Sequence, residues 1–219
     1  MYVFYYYILY ILKINFMKII VIEGTDNTGK DTLINNLLDK YKDKKCKVIH
    51  CERPIHTDNW GAQIEQDYKF LSLIDDIKNN KHDCDILIYN RSWYGEFVYG
   101  CIYRGRKKLD TIRYIWYLEE QLTKYDITYI QLLSSNIKLL LDNDDNNSLS
   151  NKNGALIMQE YNYFKDIFKR SGVIKKKMIM VNDQVTGIFK SKEEILKESI
   201  EIINKKITDK TYVKVRHDF

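Results

Sequence analysis

A single proline and nine glycines in 219 residues, beside abundant Asn, Lys, Ile and Tyr, reflect AT-rich coding and carry no functional message. The four cysteines (Cys46, Cys51, Cys84 and Cys101) form no CxxC pair and no His/Cys zinc spacing. That excludes a zinc ribbon and a redox dithiol, and leaves free thiols in a reducing compartment. No apolar run reaches the roughly 20 residues of a spanning helix. The nearest approach is the aromatic and aliphatic stretch Met1–Phe16, broken by Lys13 and Asn15. It lacks the basic start and small-residue cleavage site of a secretory signal. Three readings of it compete: an upstream start codon, a membrane-associating anchor, or an extra packed segment. The first is favoured, because Met17 stands directly before the first strand. The net charge of +5 is mild; it suits phosphorylated ligands but does not by itself indicate nucleic-acid binding. No internal repeat and no second domain core is evident. The expectation is a single cytoplasmic domain over 17–219, with no nucleic-acid partner and no membrane unless the extension is real.

What is present begins at the first strand. The apolar run Lys18–Glu23 leads into Gly24-Thr25-Asp26-Asn27-Thr28-Gly29-Lys30-Asp31-Thr32, and an amphipathic segment follows with Leu33, Ile34, Leu37, Leu38 and Tyr41 at helical spacing. Strand, glycine-bounded loop and helix form the context in which a GxxxxGK loop cradles phosphates with its backbone amides. Residues 24–32 are therefore expected to bind ATP, with Lys30 reaching the β- and γ-phosphates. One position departs from the pattern: Asp31 stands where a Ser or Thr hydroxyl normally meets Mg²⁺. Thr32 or Asp31 is expected to serve the metal instead.

Four more apolar runs, Lys47–Cys51, Asp85–Asn90, Thr128–Leu133 and Met178–Asn182, alternate with helical patterns. One pattern is Ile64, Tyr68, Leu71, Ile74 and Ile77; others surround Ile112–Leu122, Ile157–Phe168 and Ile195–Ile207. The reading is an α/β fold with a doubly wound, five-stranded parallel sheet. The stretch Asp142–Gly154 is polar and acidic and is expected to be a mobile loop; the tail from Thr208 is charged and carries no signal.

Ligands in such sheets bind outside the carboxyl ends of the strands. The residues there are Glu52-Arg53-Pro54 after the second strand, and Arg91-Ser92-Trp93-Tyr94 then Tyr103-Arg104-Gly105-Arg106 after the third. Together with Ile22-Glu23-Gly24-x-Asp26-x-x-Gly29-Lys30, they resemble the thymidylate kinase-like branch of P-loop nucleotide kinases. The segment from Arg91 to Gly105 is similar to viral members of that group.

The resemblance implies a nucleotide kinase that transfers the ATP γ-phosphate, with Mg²⁺, to a deoxynucleoside monophosphate. Lys30, Arg91, Arg104 and Arg106 would be catalytic; Glu52, Arg53, Arg91, Trp93, Tyr94 and Tyr103 would bind the acceptor. Trp60 and Tyr99 are further candidates for stacking on a base. A deoxynucleoside kinase with Glu52 as general base is the alternative, and a nucleotide-binding protein without activity is a third. Two more departures accompany Asp31: Asn90 replaces an expected acid, and the lid region has no arginine. The resemblance also implies a possible homodimer through the helix around Ile64–Ile77.

Overall fold

The computed structural model describes residues 17–143, 148–150, 152–183, 185–207 and 212–214. The N-terminal extension lies outside them. Five strands, β1 (Lys18–Gly24), β2 (Cys46–His50), β3 (Ile86–Asn90), β4 (Asp126–Leu133) and β5 (Lys175–Met180), form one sheet in the order β2-β3-β1-β4-β5. All pairings are parallel. The expected doubly wound fold is therefore present, and the strand bounds differ from the sequence reading by a few residues.

The helices α1 (Lys30–Lys40), α2 (Asn59–Lys78), α3 (Lys108–Gln121), α4 (Ile137–Asp142), α5 (Gly154–Arg170) and α6 (Lys192–Ile203) cover the sheet, with a π-helical turn at Glu96–Gly100 continuing into Cys101–Tyr103. Alternation along β1 divides its side chains between two apolar layers. Ile19 and Val21 pack with α2, α3 and α5, whereas Ile20 and Ile22 pack with α1 and α6. The central strands β1, β3 and β4 are covered on both faces and read as nearly continuous hydrophobic runs, whereas the edge strands carry lysines, Lys47 in β2 and Lys175 to Lys177 in β5.

The helix α2 corrects one expectation. Its buried face is Ala62, Gln66, Phe70, Ile74 and Ile77. Ile64 and Tyr68 are turned outward; Tyr68 is 72% exposed. The expected acidic loop is partly helical, since α4 reaches Asp142, and Asn153 caps α5 by accepting from the amides of Ala155 and Leu156. The tail is not inert either. Val213 is buried and bridges Val173 in antiparallel fashion, closing the core beside α5.

Strand order reverses at β1, which runs between β3 and β4. The carboxyl end of β1 is thus the switch point where a crevice opens. Register sets the neighbours there: Ile22 lies level with Asn90, and Asn90 level with His50.

Candidate active site

The loop between β1 and α1 is fixed by backbone geometry. Gly24 has φ 148°, and a Cβ there would lie 2.0 Å from the carbonyl oxygen of Leu132 on β4. Only glycine lets the chain turn this close to the sheet. Gly29 (φ 78°) precedes α1 without any side-chain cap, so the first amides of α1 stay open to an anion. Thr28 Oγ1 donates to the Thr25 carbonyl at 2.8 Å and tightens the loop.

Lys30 folds back over this loop, with Nζ donating to the carbonyls of Thr25 (2.7 Å) and Gly24 (3.2 Å). Burial, reinforced by the Arg91 charge, lowers its ammonium to about 8 against the pull of Asp26, Glu23 and Asp31. A phosphate chain would add negative charge here and favour the charged ammonium. Beneath the loop, Glu23 is fully buried. One of its oxygens accepts from Ser92 Oγ at 2.8 Å, and the other has no hydrogen-bond partner among the described residues. Burial pushes this carboxyl up to about 7, despite the Ser92 hydrogen bond and the nearby Arg91 and Lys30 charges.

A cavity of about 520 Å³ opens over the loop. Residues Asp26 to Leu33 form one wall, Arg53, Asn90 and Arg91 a second, and Val181, Phe189, Lys190, Lys192 and Ile195 the far end. A much smaller cavity of about 40 Å³ lies beyond it, lined by Glu52, Arg53, Gln66, Arg91, Tyr99 and Arg104 among others. Arg53 and Arg91 line both. They stand at the junction of two compartments, where a group passing from one ligand to another would be.

Arg91 follows β3 in a left-handed conformation (φ 66°), which is strained for a residue with a Cβ. Its guanidinium is ion-paired with Asp26 and donates to Tyr99 Oη at 3.0 Å. Burial raises the Asp26 carboxyl, but the Arg91 and Lys30 charges outweigh it and hold Asp26 below its ordinary value. Beside the smaller cavity, the loop after β2 is anchored by Glu65 of α2, which accepts from the amides of Ile55 (2.9 Å) and His56 (3.1 Å). Glu52 and Arg53 ride on that loop with exposed side chains.

Several expected site residues lie elsewhere. Trp93 is fully buried against Phe70, Tyr89 and Tyr94, so it cannot stack on a base. Tyr94 is also buried; its hydroxyl donates to Glu119 at 2.6 Å. Both rings belong to the apolar layer packed against α2, α3 and α5. Tyr103 lines neither cavity; it donates to Glu160 at 2.5 Å. Trp60 stands on the outer surface of α2, 73% exposed and away from both cavities. Arg106 is held by Glu96 (3.1 Å) and Asp67 (2.8 Å) and lines neither cavity. Arg104 also pairs with Glu96, at 2.5 Å, but faces the smaller cavity.

Two groups were not anticipated. His50 ends β2 beside Asn90; its place near the end of a predicted strand is the signal for it in the sequence. The apolar end formed by Val181, Phe189 and Ile195 follows the fifth strand, where the rule about strand ends also applies.

Oxygen donors for a divalent cation are present in Asp31 and Thr32, both at the wall of the larger cavity beside Lys30. Among the described residues no cluster of three His, Cys, Asp or Glu side chains could hold a metal. That donor set fits Mg²⁺, which is usually held by one or two protein oxygens together with substrate phosphates.

The model of the polyphosphate kinase 2 family matches residues 11–136, more than half of the chain. The chain belongs to that family. It is a phosphotransferase of the P-loop kinase type, and kinases of this type use nucleotides and a divalent cation. The matched stretch contains the loop, Asp31, Asn90 and the Arg91–Tyr94 segment. Solved structures share the fold. The YorR protein of Bacillus subtilis, solved in complex with phosphorylated GDP, superposes with a TM-score of 0.60 at 18% identity, covering 85% of this chain and 95% of that one. Thymidylate kinase of Candida albicans gives 0.57 at 14% identity over 85% and 90%. Polyphosphate kinase 2 of Arthrobacter aurescens TC1 gives 0.55 at 12% identity over 85% and 67%. No curated protein matches the sequence. No described helix is long and apolar enough to cross a membrane.

Proposed function

We propose that this family member transfers the terminal phosphoryl group of ATP, with Mg²⁺, to a deoxynucleoside monophosphate of the thymidylate kind. The observation that carries the reading is the sharing of Arg53 and Arg91 by two cavities, one of which is walled by the phosphate-binding loop. Phosphoryl transfer needs positioning and charge neutralisation more than covalent help from the protein. In this reading Lys30 and the loop amides hold the donor phosphates. Arg91 leaves Asp26 for the transferring group, exchanging a carboxylate for phosphate oxygens that match its planar fork. Arg53 and Arg104 hold the acceptor phosphate. An oxygen of that phosphate attacks the γ-phosphorus, the bond from phosphorus to the β–γ bridging oxygen breaks, and a nucleoside diphosphate leaves. Asp31 and Thr32 would hold a divalent cation together with the donor phosphates, and that ion would supply charge neutralisation on the donor.

The apolar end at Val181, Phe189 and Ile195 supports a nucleotide as donor, since it offers a base a surface that a polyphosphate chain has no use for. Family membership favours a second reading, in which inorganic polyphosphate is the donor; Lys30, Arg53, Arg91, Lys190 and Lys192 along one cavity suit it. Parallel assays with ATP and with polyphosphate, across nucleosides and nucleoside monophosphates, separate them. The expected result is turnover with ATP and a deoxynucleoside monophosphate, lost in Lys30→Ala. Turnover with polyphosphate alone selects the second reading. Turnover with nucleosides alone makes Glu52 the general base of a nucleoside kinase.

A further inference from the structure

Two departures from the usual loop chemistry, Asp31 at the start of α1 and Asn90 at the end of β3, are in contact although 59 positions separate them. Asn90 Nδ2 donates to Asp31 Oδ1 at 2.6 Å. The same nitrogen lies 3.1 Å from Nδ1 of His50, its register partner on β2. A carboxylate only accepts, so the amide nitrogen and not the oxygen must face Asp31. The second N–H then goes to His50 Nδ1, which accepts it when the imidazole proton is on Nε2. Both amide hydrogens are thereby engaged, and the side chain is locked between two partners. Asn90 is nearly buried while His50 and Asp31 are exposed, so the amide is the fixed point of the trio.

An acid at position 90 would place a second carboxylate against Asp31, which is repulsive until a cation enters. The amide instead orients Asp31 beforehand. We propose that Asn90, clamped by His50, is a positioning residue for phosphoryl transfer: it fixes one oxygen of Asp31 and leaves the other for the cation that arrives with the donor phosphates. The proposal rests on the reading that this loop binds a cation–phosphate donor, but not on which donor it is. Outer-shell groups of this kind typically change metal affinity by 10-fold or more when removed.

The test is a double-mutant cycle read in binding, not in turnover. Wild type, Asn90→Ala, Asp31→Ala and the double variant are titrated with Mg²⁺, and the midpoint for binding of ATP is measured by calorimetry, with a short-chain polyphosphate run in parallel. Asn90→Ala is expected to raise the Mg²⁺ midpoint about 10-fold, and the effect should vanish in the Asp31→Ala background. His50→Ala, an exposed change that leaves the core intact, should shift the midpoint in the same direction. His50→Asn, whose amide oxygen replaces Nδ1 as acceptor, should restore it; if Asn90→Ala does not fold, this His50 pair carries the test. An equal shift by Asn90→Ala in both backgrounds, or unchanged midpoints with only a lowered Tm, would overturn the proposal. If wild type binds polyphosphate and not ATP, the donor reading fails while the same cycle, read on polyphosphate, still decides the role of Asn90.

Discussion

Nη2 of Arg106 lies 2.8 Å from each carboxylate oxygen of Asp67, and so ties the turn after the π-helical segment to α2. Nη1 of the same guanidinium donates to Glu96, which also receives Arg104. Arg106 is 10% exposed, and its Cδ would meet a Cβ at Gly100 at 2.7 Å. This arginine braces, from behind, the wall of the smaller cavity that Glu96 and Arg104 form. Arg106→Met should cost about 3 kcal/mol, because it leaves Asp67 and part of Glu96 without a cation. Urea unfolding measures that loss, and the folded fraction should keep its turnover. Arg104→Ala should instead raise the acceptor KM, since Arg104 faces the smaller cavity.

The lowered Lys30 ammonium gives a calorimetric signature. In the ligand-free protein it titrates at about 8, so near that pH a substantial share of the molecules carry a neutral amine. Donor phosphates favour the charged form. Binding at pH 8 should therefore take up protons, and the observed heat should vary with the ionisation enthalpy of the buffer. At pH 6, where Lys30 is already protonated, this contribution should disappear. Lys30→Arg should abolish it at both pH values while retaining a cation.

The buried Glu23 predicts a pH-dependent stability. Its carboxyl is raised from 4.5 to about 7 in the folded chain, so between those values the folded state keeps a proton that the unfolded state has lost. Its contribution to stability therefore falls as pH rises through this window and stays low above it. Glu23→Gln removes the penalty and keeps an acceptor for Ser92. It should be more stable than wild type at pH 8 by about 2 kcal/mol, the linkage less the cost of an unpaired amide. The difference should shrink toward pH 5. Denaturant titrations at both pH values check it.

The two loop glycines should differ sharply. Gly24→Ala drives a Cβ into the Leu132 carbonyl, whereas Gly29→Ala meets no heavy atom within 4 Å. Gly29→Ala should cost about 1–2 kcal/mol, the strain of a left-handed alanine. Gly24→Ala should prevent the loop from closing on β4, with loss of cooperative melting or of donor binding.

The sheet was legible mainly through its central strands β1, β3 and β4, which are buried almost throughout and mostly apolar. The edge strand β5 opens with Lys175 to Lys177, which carry no such pattern, so only its end was read as a strand. The loop was legible because its glycines and lysine have fixed spacing. The phase of α2 was not. Ile64 and Tyr68 fit a helical stripe as well as Ala62, Gln66 and Phe70 do, and only packing distinguishes the two faces. Trp93 and Tyr94 misled for a related reason: an aromatic after a strand reads the same whether it meets a ligand or the core. The partners of Arg106 lie 10 and 39 positions away, and those of Asn90 on two other elements. Sequence marks such residues as departures or as free charges; contact reveals them as pairs.

The central claim is that the loop at Gly24–Thr32 presents a nucleotide phosphate to a second nucleotide across Arg53 and Arg91. The most direct measurement follows label from γ-labelled ATP, with Mg²⁺ and a panel of deoxynucleoside monophosphates, in wild type, Lys30→Ala and Arg91→Ala. The account predicts label in a deoxynucleoside diphosphate for wild type and its loss in both variants, with each variant still folded. Label that never leaves ATP, or transfer that proceeds unchanged without Arg91, would contradict it.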